Sequence, residues 1–105
     1  MRILFDQGTP APLRKHLLAH TVDTTAERGW STISNGDLLR CAEEGGYEVF
    51  ITTDENLRYQ QNLSGRRIGI VVLMATSWPR AQKHIPEILA AVNRVPGGGY
   101  EEVAL

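Results

Sequence analysis

The sequence predicts an α/β domain, a mainly parallel sheet covered by helices on both faces. Two observations carry that expectation. Short runs of strand length alternate with stretches of helical period. The runs are also apolar nearly throughout, as in strands buried on both faces of a sheet, rather than alternating apolar with polar.

The elements follow in order. Residues 2–5 are apolar and stop at Asp6, Gln7 and Gly8, which reads as a buried strand and a turn. Thr9-Pro10-Ala11-Pro12 opens a helix, with Thr9 as N-cap and Leu13, Leu17 and Leu18 as its apolar stripe, ending near His20. Residues 22–25 form a short second strand, and 26–34 have no period. Asn35 is the next N-cap, opening a helix through Leu38, Leu39 and Ala42 that Gly45-Gly46 terminates. Residues 47–53 are the clearest strand. Asp54 then caps a short helix through Leu57 and Tyr59 that ends around Asn62.

The β-branched run at residues 68–73 reads as a strand buried on both faces. A last helix sets Ile85, Ile88, Leu89 and Val92 on one side, with Pro86 at its start, where a missing N–H costs nothing. From about residue 96, Gly97-Gly98-Gly99 and an apolar end make an edge strand or a flexible tail.

The 105 residues fit a single domain. Apolar (42%) and charged (22%) fractions match ordinary globular chains and argue against disorder. A net charge of −1 excludes attraction of nucleic acid by bulk charge, so any such binding rests on local basic patches. A single Cys41 rules out an internal disulfide, fits a reducing compartment and suits a small core residue. No run approaches the length needed to span a membrane, and the opening apolar run is too short for a signal peptide, so the expected location is cytoplasmic with no membrane partner.

The chemistry lies in the acids. In open α/β sheets, sites lie outside the carboxyl ends of the strands. Two strands end in an aspartate there, at Phe5-Asp6 and Thr53-Asp54, and Asp37 falls in the first turn of a helix expected near the same rim. Three converging carboxylates repel one another unless a cation sits among them. Oxygen-only ligation suits Mg²⁺ or Mn²⁺, which activate water and stabilise charge developing on a phosphodiester. The plain alternative makes Asp54 a helix cap and Asp37 a first-turn acid favoured by the helix dipole. Asp6 has no comparable capping role.

These residues resemble a compact branch of PIN-like domains, relatives of the ribonuclease toxins of bacterial toxin–antitoxin pairs. The likeness runs over nearly the whole chain. Its strongest motif is Phe50-Ile51-Thr52-Thr53-Asp54-Glu55-Asn56-Leu57, extending through Arg58-Tyr59-Gln60-Gln61-Asn62-Leu63. Trp30 with Asn35-Gly36-Asp37-Leu38-Leu39 is a second block, Ile3-Leu4-Phe5-Asp6 the opening strand and acid, and Val71-Val72-Leu73 a later strand. The resemblance implies an α/β/α three-layer sandwich, a Mg²⁺ or Mn²⁺ site formed by Asp6, Asp37 and Asp54 with Asn56 beside it, and endoribonuclease activity. It also implies an RNA substrate and, for a toxin, an antitoxin protein as partner. Two blocks depart from the pattern. Asp6-Gln7 stands where the branch has Asp-Glu, removing one negative charge, and Ser77-Trp78-Pro79-Arg80 stands where it often has Ser-Asn-Arg.

Arg58, Gln60 and Arg80 are the candidate contacts to substrate, with Tyr59 and Trp78 as candidate base-stacking rings. The other reading of each is a solvated charge or a packed ring. Arg66-Arg67 lies at the amino end of a strand, away from the acidic rim. His16 and His20 have the spacing of two zinc ligands, but no further Cys, His or Glu supports them. Two other functions compete. One is a catalytically weak binding module, for a partner protein or a homodimer mate, suggested by Gln7 and the glycine-linked tail. The other is a phosphoacceptor, which needs paired acids after the first strand and a lysine after a late one; this chain has neither.

Overall fold

A computed structural model describes all 105 residues. Five strands form one all-parallel sheet: β1 (Arg2–Phe5), β2 (Thr21–Thr24), β3 (Val49–Thr52), β4 (Gly69–Leu73) and β5 (Tyr100–Val103). Their order is β2-β1-β3-β4-β5. Phe5 stands opposite Thr24 on one side and Ile51 on the other, and Thr52 stands opposite Val72. The helices are α1 (Asn35–Glu44), α2 (Leu57–Gln60), α3 (Trp78–Gln82) and α4 (Ile85–Arg94), with a 3₁₀ turn at Ala11–His16.

Side-chain alternation sorts the core into two clusters. Ile3, Phe5, Val49, Ile51, Val71 and Leu73 face one way and pack with Leu13 and Leu17, with Ala81 of α3, and with Ile88, Ala91 and Val92 of α4. Leu4, Phe50, Ile70 and Val72 face the other way, onto Leu38, Leu39 and Ala42 of α1 and Leu57 of α2. Helices therefore cover both faces, which is why the central strands tolerate no polar alternation. No helix is long and apolar enough to cross a membrane.

The tail is an edge strand, parallel to β4. Pro86 lies in the first turn of α4, as its missing donor requires. The expected helix after Thr9 is shorter and tighter. It is a 3₁₀ turn behind Pro10 and Pro12, Leu18 is 82% exposed, and the chain turns into β2 at Thr21. His16 and His20 thus share no helix face; His16 rests against Trp78, and His20 Nδ1 lies 3.2 Å from the Met1 amino group. Thr9 does not cap this turn. Its hydroxyl donates to the Ile51 carbonyl at 2.8 Å, tying the loop after β1 to β3.

Candidate functional site

Between β1 and β3 the connections diverge: from β1 the chain crosses outward to β2, then back over β1 to β3 and on toward β5. Such a switch point opens a crevice at the carboxyl ends of the two strands, the usual place for a ligand in this kind of sheet. Asp6 and Asp54 both lie there. Asp6 is the first residue after β1, its N–H still held by the Ile51 carbonyl at 2.9 Å. Asp54 comes two residues after the end of β3.

The carboxylates are joined through one hydroxyl. Thr52 is fully buried, and its Oγ1 donates to Asp6 Oδ2 at 2.8 Å while accepting the Asp54 N–H at 3.1 Å. Asp6 Oδ1 accepts the Gln7 N–H at 2.9 Å. Asp54 Oδ1 accepts the Asn56 N–H at 3.0 Å and Oδ2 the Asn35 side-chain amide at 3.3 Å. Neither carboxylate has an Arg or Lys partner. The loop below them is tightly packed: a Cβ on Gly8 would fall 2.3 Å from Thr53 Oγ1. Across the β1–β2 pair, Thr25 is 1% exposed and its hydroxyl has no partner.

Asp37 is placed elsewhere. It accepts from Ser34 Oγ at 3.3 Å and pairs with Arg40 at 3.2 Å on the exposed side of α1. The helix explains this. Its cap is Ser34, Asn35 is its first residue, and residues two apart on a helix do not face the same way. Asn35, read from the sequence as a cap, faces Asp54 instead. Asp54 in turn accepts the backbone of Asn56, which holds the cap position of α2 with its own side chain unbonded.

The candidate substrate contacts are dispersed. Arg58 bonds the Tyr59 hydroxyl at 2.7 Å and lies 3.7 Å from Glu102 of β5. Gln60 is exposed without a partner, and Arg80 donates to the carbonyl of Leu105. Arg66 pairs with Glu43 at 3.0 Å near the amino ends of the strands. Burial alone would raise the Glu43 carboxyl, but the Arg67 N–H, the Arg66 guanidinium and the Ile68 N–H hold it below its ordinary value.

No group of three or more His, Cys, Asp or Glu side chains is arranged to hold a metal. What the switch point offers is two carboxylates, each oxygen with one hydrogen bond and a remaining lone pair. That set fits Mg²⁺ or Mn²⁺, which take one or two carboxylates and leave the other positions to water and phosphate oxygens. The molecule's one sizeable hollow, of about 300 Å³, lies at the opposite, amino ends of the strands, among Met1, Glu43, Glu48 and Arg67.

Sequence reading quoted Thr52 within a motif and Asn35 as a helix cap but gave neither a place in the site, and it gave none to Thr25. A threonine at the end of an otherwise apolar strand was the available signal for Thr52. No family model, curated protein or solved structure matches the chain.

Proposed function

We propose that the chain is a divalent-metal-dependent endoribonuclease on a PIN-like, three-layer scaffold, with single-stranded RNA as substrate. The observation that carries this reading is the Asp6–Thr52–Asp54 bridge at the switch point, two carboxylates without a cationic partner at the expected rim. Asp6 and Asp54 would hold Mg²⁺ or Mn²⁺, and Asn35 and Thr52 would orient them. The metal would supply polarisation of water and of the phosphodiester oxygens. Thr52, donating to Asp6, fixes the direction of that carboxylate. Asn35 does the same for Asp54, and Asn56 closes the turn that presents it. As a ribonuclease of this kind the chain fits the toxin of a toxin–antitoxin pair, with an antitoxin protein as its inhibitor.

The test is cleavage of a fluorescent single-stranded RNA with and without Mn²⁺, beside Asp54→Asn. Cleavage that needs the metal and disappears in the variant, at unchanged thermal midpoint, is the expected outcome. Cleavage that survives in Asp54→Asn would overturn the mechanism.

One observation favours a second reading. With Asp37 turned to Arg40 and amides at Gln7 and Asn35, the crevice holds two carboxylates rather than three or four. A binding module on the same scaffold accounts for that reduction. Failure to bind Mn²⁺ at millimolar concentration would favour it.

A further inference from the structure

The two edges of the sheet are finished differently. On β2 the backbone groups of Thr21 and Thr25 point inward to β1, so Val22 and Thr24 point outward. Side chains occupy that edge as a neighbouring strand would. Arg14 donates to the Val22 carbonyl at 2.9 Å, and the Thr24 N–H donates to Glu27 at 2.9 Å. The Thr24 carbonyl accepts from Arg28 N–H at 3.2 Å, and Arg14 and Glu27 pair with each other.

On β5 the carbonyls of Gly99 and Val103 accept from β4, so Tyr100 and Glu102 point outward. No strand or side chain meets their N–H and C=O groups. An edge left in this state is a template for another strand. It is bordered by Tyr59, a residue that is 73% exposed and whose ring lies beside Arg58, which itself reaches Glu102. An exposed tyrosine beside arginine is the composition of an interface rather than of open surface.

We propose that β5 pairs antiparallel with β5 of a second copy, about a two-fold axis through Glu101. In that register Tyr100 faces Glu102 of the second copy, and each pair exchanges two backbone hydrogen bonds. The side chains are complementary, since a Tyr100 hydroxyl already donates to Glu102 within one strand at 3.1 Å. Only Glu101 meets its own counterpart. Each Glu101 is neutralised by Arg94 through two hydrogen bonds of 2.8 Å, so the like charges are compensated. Centring the axis on Glu102 instead would oppose two Glu102 carboxylates, which disfavours that register. The pairing would extend the sheet to ten strands, with the closed β2 edges outermost.

Light scattering after size exclusion, from micromolar to several hundred micromolar protein, tests this together with Glu102→Pro. That substitution removes one outward N–H and leaves the β4–β5 ladder its donors and acceptors. The expected result is a dimer in the parent chain and a folded monomer in the variant. A second measurement needs no substitution: the amide hydrogens of Tyr100 and Glu102 should exchange more slowly as concentration rises. A parent chain that stays monomeric throughout, or a dimer whose Tyr100 and Glu102 amides exchange freely at every concentration, overturns the proposal. If Glu102→Pro fails to fold, the exchange measurement decides.

Discussion

Thr52 has more consequence than its size suggests. It is the last residue of β3, buried within a strand whose other members are all apolar, and its one hydroxyl serves both aspartates. Thr52→Val keeps the shape and removes the donor to Asp6 and the acceptor for the Asp54 N–H. A stability loss of about 1–3 kcal/mol is expected in urea unfolding, the range for a buried polar group left without its partner. Mn²⁺ affinity should fall with it; a variant as stable as the parent would show that the bridge contributes nothing. Asp6 and Asp54 were legible in the sequence because a strand's end fixes where the next residue must emerge. The third position was not. Asn35 and Asp37 lie two positions apart on α1 and face different ways, and capping preference among Ser34, Asn35 and Asp37 does not fix the helix start closely enough to decide which of them faces the crevice. Thr25 left no signal, since its partnerless hydroxyl depends on packing alone.

The clearest element-level effect belongs to the β2 edge. Glu27 is pulled down to about 2, first by its hydrogen bond from Arg14 and then by the Thr24 N–H. Its folded value therefore lies below the ordinary 4.5. Such a depressed carboxyl stabilises the fold above its unfolded value and loses that contribution as pH falls toward its folded one. The stability difference between the parent chain and Glu27→Gln should thus shrink between pH 4.5 and about 2, measured by denaturant unfolding at each pH. A difference unchanged across that window would mean the clamp does not depend on the ionised form.

β1, β3 and β4 were readable because they are dense runs of aliphatic, β-branched and aromatic residues, whereas β5, Tyr-Glu-Glu-Val, was left open between an edge strand and a flexible tail. The helix expected after Thr9 was not readable, because two prolines and a histidine-rich end left only a tight turn. Helix α3 has five residues and a proline at its start, too short for any period to show.

At the level of the whole molecule, the sheet divides the core into two clusters. Ile3 belongs to one and Ile70 to the other, both buried. Ile3→Val and Ile70→Val should each cost about 0.5–1.5 kcal/mol. Their double mutant should match the sum to within about 0.5 kcal/mol, as expected for sites without shared partners. A larger coupling in denaturant unfolding would mean that the sheet transmits packing strain between its faces. The parallel topology was legible at this scale, from apolar strands separated by helical stretches, whereas the strand order was not, because nothing local specifies which strand a crossover returns to. That order has a consequence for the chain as it is made. β1 is synthesised first, yet one of its two neighbours is β3, more than forty residues later. No hairpin bridges the interval, because every strand pair is parallel. The nascent chain must therefore carry β1 with one side unpaired until β3 leaves the ribosome, and that interval is when it most needs protection from aggregation.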